Sequence, residues 1–137
     1  MRSNKPLLLV EDDEVDVLTV KRALRDLGIS NSLLVAGNGE DALSLLRDPA
    51  TPRPSLILLD LNMPRMNGIE FLREGRRDAT LRGIPVVVLT TSNQDQDIFE
   101  GFDLNVAGYM LKPVDYKKFV EVMRAIDSYW TLSELPA

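Results

Sequence analysis

The sequence predicts an α/β fold built on a mainly parallel sheet. Two observations carry that prediction. Short apolar runs recur five times along the chain, and a longer segment with apolar residues at helical spacing follows each of them. Such β-then-α units pair their strands in parallel, because right-handed crossovers place helices on the faces of the sheet. The 137 residues, 45% apolar and 27% charged, fit one globular domain that buries a core without disulfide or metal staples.

The elements follow in order. Leu7-Leu8-Leu9-Val10 is a strand buried on both faces, cut off by Glu11-Asp12-Asp13-Glu14. Val15 to Leu27 is a helix with Val17, Val20, Leu24 and Leu27 on one side, and Gly28 stops it. Asp13 or Glu14 is a candidate helix cap. Leu33 to Ala36 is the second strand and Glu40 to Arg47 the second helix. Pro49, Pro52 and Pro54 mark a loop. Leu56 to Leu59 is a third buried strand ending at Asp60, and Gly68 to Arg77 is a helix. Ile84 to Leu89 is the fourth strand, rich in β-branched residues and ending at Thr90. Asp95 to Leu104 is a weaker helix, interrupted by Gly101. Gly108 to Leu111 is the fifth strand, ending at Lys112-Pro113, and Asp115 to about Tyr129 is the last helix. The domain core is expected over residues 6–129, with 130–137 as a C-terminal extension.

Composition removes several kinds of chemistry. There are no cysteines, so disulfides, zinc thiolates and Cys nucleophiles are excluded. There are no histidines, so Ser-His-Asp catalysis and His-ligated metals are excluded too. A net charge of −5 opposes direct nucleic-acid binding, which draws its affinity from neutralised phosphates. No apolar run approaches the roughly 20 residues that span a bilayer, and no signal peptide is evident. A cytoplasmic protein without membrane or nucleic-acid contact is the expectation.

The polar residues concentrate at one kind of place. Glu11, Asp12, Asp60, Thr90 and Lys112 all stand at or just past the C-terminal end of a predicted strand. In open parallel sheets, ligands bind outside those ends. Three carboxylates in one cleft repel each other, and a hard divalent cation such as Mg²⁺ relieves this while keeping positions open for phosphate oxygens. Together with Lys112 it brings the cluster to neutrality, a setting suited to a phosphoryl group. Thr90 adds a hydroxyl donor. Asp60, central and held by a wholly apolar strand, is the natural nucleophile toward phosphorus.

These residues stand in a recognisable pattern. Leu-Leu-Val-Glu11-Asp12-Asp13, Leu-Asp60-Leu-Asn62-Met63-Pro64-Arg-Met-Asn-Gly68, Val-Leu-Thr90 and Gly108-Tyr109-Met-Leu-Lys112-Pro113 resemble the receiver domain of bacterial response regulators, in order and spacing and over nearly the whole chain. The resemblance implies a flavodoxin-like (βα)5 fold with strand order 2-1-3-4-5. It implies that Asp60 accepts a phosphoryl group from the phosphohistidine of a sensor histidine kinase. Mg²⁺ would be held by Asp12, Asp60 and the Asn62 backbone carbonyl, with Glu11 acting mainly through water. Thr90 and Tyr109 match the switch pair, Lys112 the lysine that meets the phosphoryl group, and the peptide before Pro113 is implied to be cis. The segments Ile-Pro-Val-Val-Val-Leu-Thr-Thr-Ser, Asp-Leu-Asn-Val-Ala-Gly-Tyr and Lys-Pro-Val-Asp-Tyr resemble single-domain regulators serving phytochrome-type kinases, so a bacteriophytochrome is the candidate kinase. Asn67 departs from the family, where Asp is frequent in that loop.

Plainer explanations compete at several positions. Acidic runs are often solvated helix starts, and Asp13 and Glu14 fit that role alone. Tyr109 could be an aromatic on a half-exposed edge strand. Gly37-Asn-Gly39-Glu-Asp-Ala42 matches a dinucleotide-binding pattern, but it follows the second strand and reads equally as a turn. The last helix carries two apolar stripes. Phe119, Met123, Ile126 and Trp130 form one, and Val122, Ala125, Tyr129 and Leu132 the other. The second stripe widens the buried face or meets a partner. In the resembled family, the face of the fourth helix, fifth strand and fifth helix often makes dimers, and a homodimer is expected here.

The expected function is a stand-alone receiver without an output domain, acting through protein–protein contact or phosphorelay. It would catalyse its own phosphorylation and dephosphorylation, and would not be a metabolic enzyme. A hydrolase with an aspartyl-phosphate intermediate would need an acid/base carboxylate two residues beyond Asp60, where Asn62 stands. A phosphate-independent interaction module is the other alternative, and every chemical position being filled speaks against it.

Overall fold

A computed structural model describes residues 4–61, 68–90, 106–113 and 115–133. Its elements are β1 (Leu7–Val10), α1 (Glu14–Asp26), β2 (Leu33–Ala36), α2 (Gly39–Arg47), β3 (Leu56–Asp60), α3 (Gly68–Arg77), β4 (Val86–Thr90), β5 (Gly108–Leu111) and α4 (Tyr116–Ser133). The five strands form one parallel sheet in the order β2-β1-β3-β4-β5, the flavodoxin-like arrangement that the resemblance implies. The helix expected over 95–104 lies outside the described residues, as do Asn62 and the loop to Asn67.

Two layers of side chains flank the sheet. On one face Leu8, Val10, Ile57, Leu59, Val86 and Val88 pack against Ala42 and Leu43 of α2 and Phe71 and Leu72 of α3. On the other, Leu7, Leu9, Leu56, Leu58, Val87 and Leu89 meet Val20, Ala23 and Leu24 of α1 and Phe119, Met123 and Ile126 of α4. Burial on both faces explains why β1, β3 and β4 are continuous apolar runs rather than alternating ones. Of the two stripes on the last helix, Phe119, Met123 and Ile126 are buried. Val122 leans on the same core and Ala125 is exposed.

Local chemistry sets the helix ends. Asp13 is the N-cap of α1, its Oδ1 accepting from the Val15 and Asp16 N–H groups at 2.8 and 3.2 Å. At the other end Gly28 adopts φ 71°, the left-handed conformation that glycine reaches without strain. There the Gly28 N–H donates to Arg25 O and the Ile29 N–H to Leu24 O, closing a Schellman motif whose apolar pair is Leu24 and Ile29. Asn38 caps α2 by accepting from the Asp41 N–H at 2.9 Å. The glycine pattern around it is therefore a capped turn, and β2 is an edge strand rather than a flank of the switch point between β1 and β3.

α1, α2, the end of β3 and the start of α4 depart from the sequence prediction by one residue, and three other boundaries differ for identifiable reasons. β4 begins at Val86 because Pro85 has no N–H to donate and Ile84 turns back to bond Leu81 O. Thr90 belongs to the strand, its carbonyl accepting from the Lys112 N–H at 2.7 Å. The last helix continues through Ser133, past the expected Tyr129, since no Gly or Pro interrupts it before Pro136. Residues 130–133 continue this helix.

Candidate functional site

The sheet delivers the strand-end residues side by side. β1 and β3 are neighbours with Val10 opposite Leu59, so Glu11 and Asp60 leave adjacent strands at the same level. β4 lies on the other side of β3 with Leu89 opposite Asp60, and Leu111 of β5 stands opposite Thr90, placing Lys112 one step beyond. Carboxylate oxygens of Glu11, Asp12 and Asp60 fall within 4.8 Å of one another. Glu11, Asp60 and Thr90 are buried, with Thr90 fully so, while Asp12 is exposed and opens the cluster to solvent. Asp60 keeps about a tenth of its side-chain surface accessible, enough for one edge to be approached from outside.

Lys112 crosses from the end of β5 into this cluster. Its Nζ lies 2.5 Å from Glu11 Oε1, 3.2 Å from Asp16 Oδ2 and 3.6 Å from Asp60 Oδ1. The resemblance implied a cis peptide before Pro113, and the structure corrects this. The Lys112–Pro113 bond is trans, as in most X-Pro bonds, and Lys112 reaches the site from that geometry.

The electrostatics follow from burial and neighbours. Burial pushes the Glu11 carboxyl up to about 8, with the Asp60 charge adding to the rise and Lys112 opposing it. Burial pulls Lys112 down, but the Glu11 hydrogen bond and the Asp60, Glu11 and Asp16 charges outweigh it and hold Lys112 above its ordinary value. Three close carboxyl groups form an all-oxygen donor set, and even with Glu11 protonated the Asp12 and Asp60 charges exceed that of the one ammonium. That set fits a hard divalent cation, which takes oxygen ligands and retains waters.

Thr90 and Tyr109 share one face of the sheet. Tyr109 pairs with Val88, two residues before Thr90, and packs half-buried against the core on the α2 and α3 side. Sequence reasoning missed two further contributors. Asp16 touches Lys112, and its signal was its place in the first turn of the helix that starts beside the acidic pair. Gly68 packs close to the end of β3: a Cβ there would lie 3.1 Å from Leu61 Cδ2 and 3.3 Å from Asp60 O. Its signal was the glycine closing the loop after Asp60, to which no role was given.

Comparison with known proteins settles the family. The response regulator receiver domain matches residues 7–124. The chain belongs to this family. The receiver is 37% identical over 134 residues to response regulator Rcp1 of Synechocystis sp., covering 93% of this chain and 91% of that protein. Among solved structures, the phosphorylated cyanobacterial phytochrome response regulator RcpA matches with a TM-score of 0.86 at 35% identity, over 98% of this chain and 100% of that one. The Mn²⁺-bound form of Rcp1 matches with a TM-score of 0.83 at 37% identity, over 97% and 99% of the two chains. The receiver is thus related to phytochrome response regulators of two-component signalling. Among the described residues, no helix is long and apolar enough to cross a membrane.

Proposed function

We propose that Asp60 of this receiver accepts a phosphoryl group from a sensor histidine kinase, in a reaction that requires Mg²⁺. The observation that carries this is the Asp60 carboxylate lying 3.6 Å from the Lys112 ammonium, within the carboxylate cluster of Glu11 and Asp12. An Asp60 oxygen attacks phosphorus, an O–P bond forms, and the N–P bond to the kinase histidine breaks. The departing imidazole keeps the electron pair and takes a proton from solvent. Lys112 supplies positive charge beside the acceptor, and Thr90 a hydroxyl at the neighbouring strand end. Asp12, Asp60 and the Asn62 carbonyl would hold Mg²⁺, which supplies charge neutralisation for the transferring oxygens. The 2.5 Å Glu11–Lys112 contact supports an indirect role for Glu11, since its Oε1 is already engaged.

Phosphorylation would then bias two arrangements of Thr90 and Tyr109, which lie on one face of neighbouring strands. Output follows through protein contact or relay in the cytoplasm rather than through turnover of a metabolite. Kinship with phytochrome response regulators supports a phytochrome-type kinase as donor. A homodimer through the β5 edge and α4, completed by the helix expected over 95–104, is supported by the exposed Leu111 on β5.

The test is direct. Protein mixed with Mg²⁺ and acetyl phosphate is followed by intact mass. A single phosphoryl adduct is expected, absent in Asp60→Asn and without Mg²⁺. No adduct on the wild type points to an inert module, and rapid turnover without accumulation points to a hydrolase.

A further inference from the structure

We infer that Asp16 is a positioning residue that orients the Lys112 ammonium; the inference rests on the phosphoryl-acceptor function proposed above. Lys112 Nζ is within hydrogen-bonding distance of Glu11 Oε1 at 2.5 Å and Asp16 Oδ2 at 3.2 Å, whereas Asp60 Oδ1 at 3.6 Å lies beyond it. An ammonium has three donors. Two are engaged by these carboxylates, and one remains for an oxygen on the Asp60 side.

The two anchors come from different elements. Glu11 stands at the end of β1 and Asp16 in the first turn of α1. A single anchor leaves the end of a flexible four-carbon chain free to swivel. A second from another direction fixes where the remaining donor points. The orientation is then set on folding rather than when the phosphoryl group arrives. Asp16 is itself held, because its N–H donates to Asp13 Oδ1 at 3.2 Å. It lies outside the trio of carboxylates suited to a metal.

Exposure separates geometry from charge. The Asp16 side chain is 44% exposed and that of Lys112 only 11%. Water screens the Asp16 charge, so it adds little repulsion toward an incoming phosphoryl group. Its contribution is directional, and a neutral acceptor at the same position retains most of it.

The experiment compares initial rates of adduct formation with acetyl phosphate at saturating Mg²⁺. The set is the wild type, Asp16→Ala, Asp16→Asn, Lys112→Ala and the Asp16→Ala/Lys112→Ala double variant. Asp16→Ala is expected to slow labelling about fivefold, a modest share of what orientation supplies. Asp16→Asn recovers most of the wild-type rate, and Asp16→Ala has no further effect once Lys112 is gone. An equal drop in both backgrounds, no drop in either, or Asp16→Asn as slow as Asp16→Ala overturns the inference. If Asp16→Ala does not fold, Asp16→Ser, too short to reach Lys112, takes its place with the same expectations. A second measurement avoids phosphorus altogether. Acetylation of Lys112 by N-hydroxysuccinimidyl acetate, read by peptide mass, should rise severalfold when Asp16 is removed. If the wild type takes up no phosphoryl group, the acceptor function falls and acetylation alone decides; unchanged Lys112 labelling then overturns the tether.

Discussion

Lys112 Nζ lies 2.5 Å from Glu11 Oε1, joining the ends of β5 and β1 across 101 positions of sequence. Both side chains are largely withdrawn from water, at 11% and 2% exposure. The pair ties the outermost strand end to the centre of the sheet edge, and it places a cation beside Asp60 in every folded molecule.

Removing the cation exposes what it compensates. Lys112→Ala should lower unfolding stability by about 2–3 kcal/mol, below the usual cost of breaking a buried pair because burial already favours the protonated Glu11 carboxyl, so no bare buried charge is left behind. Adding Glu11→Gln should return part of that loss. Urea denaturation with a double-mutant cycle measures both, and a Lys112→Ala loss indistinguishable from zero would refute the pairing.

Mg²⁺ should stabilise the folded chain alone. At a hundredfold excess over its dissociation constant the gain is about 2.7 kcal/mol by mass action. Thermal melts with and without Mg²⁺ are expected to separate for the wild type and to converge for Asp12→Asn and Asp60→Asn. A gain that survives both substitutions would place the ion elsewhere.

Gly68 leaves little room for a side chain beside the end of β3, where a Cβ would lie 3.3 Å from both Asp60 O and Leu61 Cα. Backbone atoms cannot swing aside as a side-chain tip can. Gly68→Ala should therefore cost about 1–2 kcal/mol through overpacking, although alanine is the better helix former. It should also slow acetyl phosphate labelling by shifting Asp60. Chemical denaturation and the mass assay read the two effects, and a stabilised variant would contradict the crowding.

Acid sensitivity has an identifiable source away from the site. The Asp78 carboxylate accepts from the Thr80 hydroxyl at 2.6 Å and the Thr80 N–H at 2.9 Å, which with Arg47 at 3.3 Å hold it below its ordinary value of 3.8. A depressed carboxyl stabilises the fold above the unfolded value and loses that contribution as pH falls through the folded one. Asp78→Asn should thus flatten the acid limb of the stability curve below about pH 4 and lower stability at neutral pH. Melts across pH 2 to 7 check this, and parallel acid limbs would exclude Asp78 as a contributor.

The sequence by itself determined whatever depends on neighbours along the chain. Leu56 to Leu59 are apolar because both faces of β3 are covered, and the pattern breaks at Asp60 where the strand leaves the core. Gly28 and Asp13 mark helix ends because caps are local hydrogen-bonding devices. Periodicity led to α/β and to polar strand ends, and the family pattern added the strand order. Only the tertiary structure decided which polar groups touch. The contact of Asp16 with Lys112 depends on how α1 is rotated against the sheet, which no spacing encodes. That Glu11 is the buried partner of Lys112, while its neighbour Asp12 faces solvent, depends on where the chain turns after β1. The trans peptide before Pro113 and the crowding at Gly68 belong with these. The Lys112 contacts involve atoms brought together by packing of distant segments, and their energies enter only once the sheet has closed.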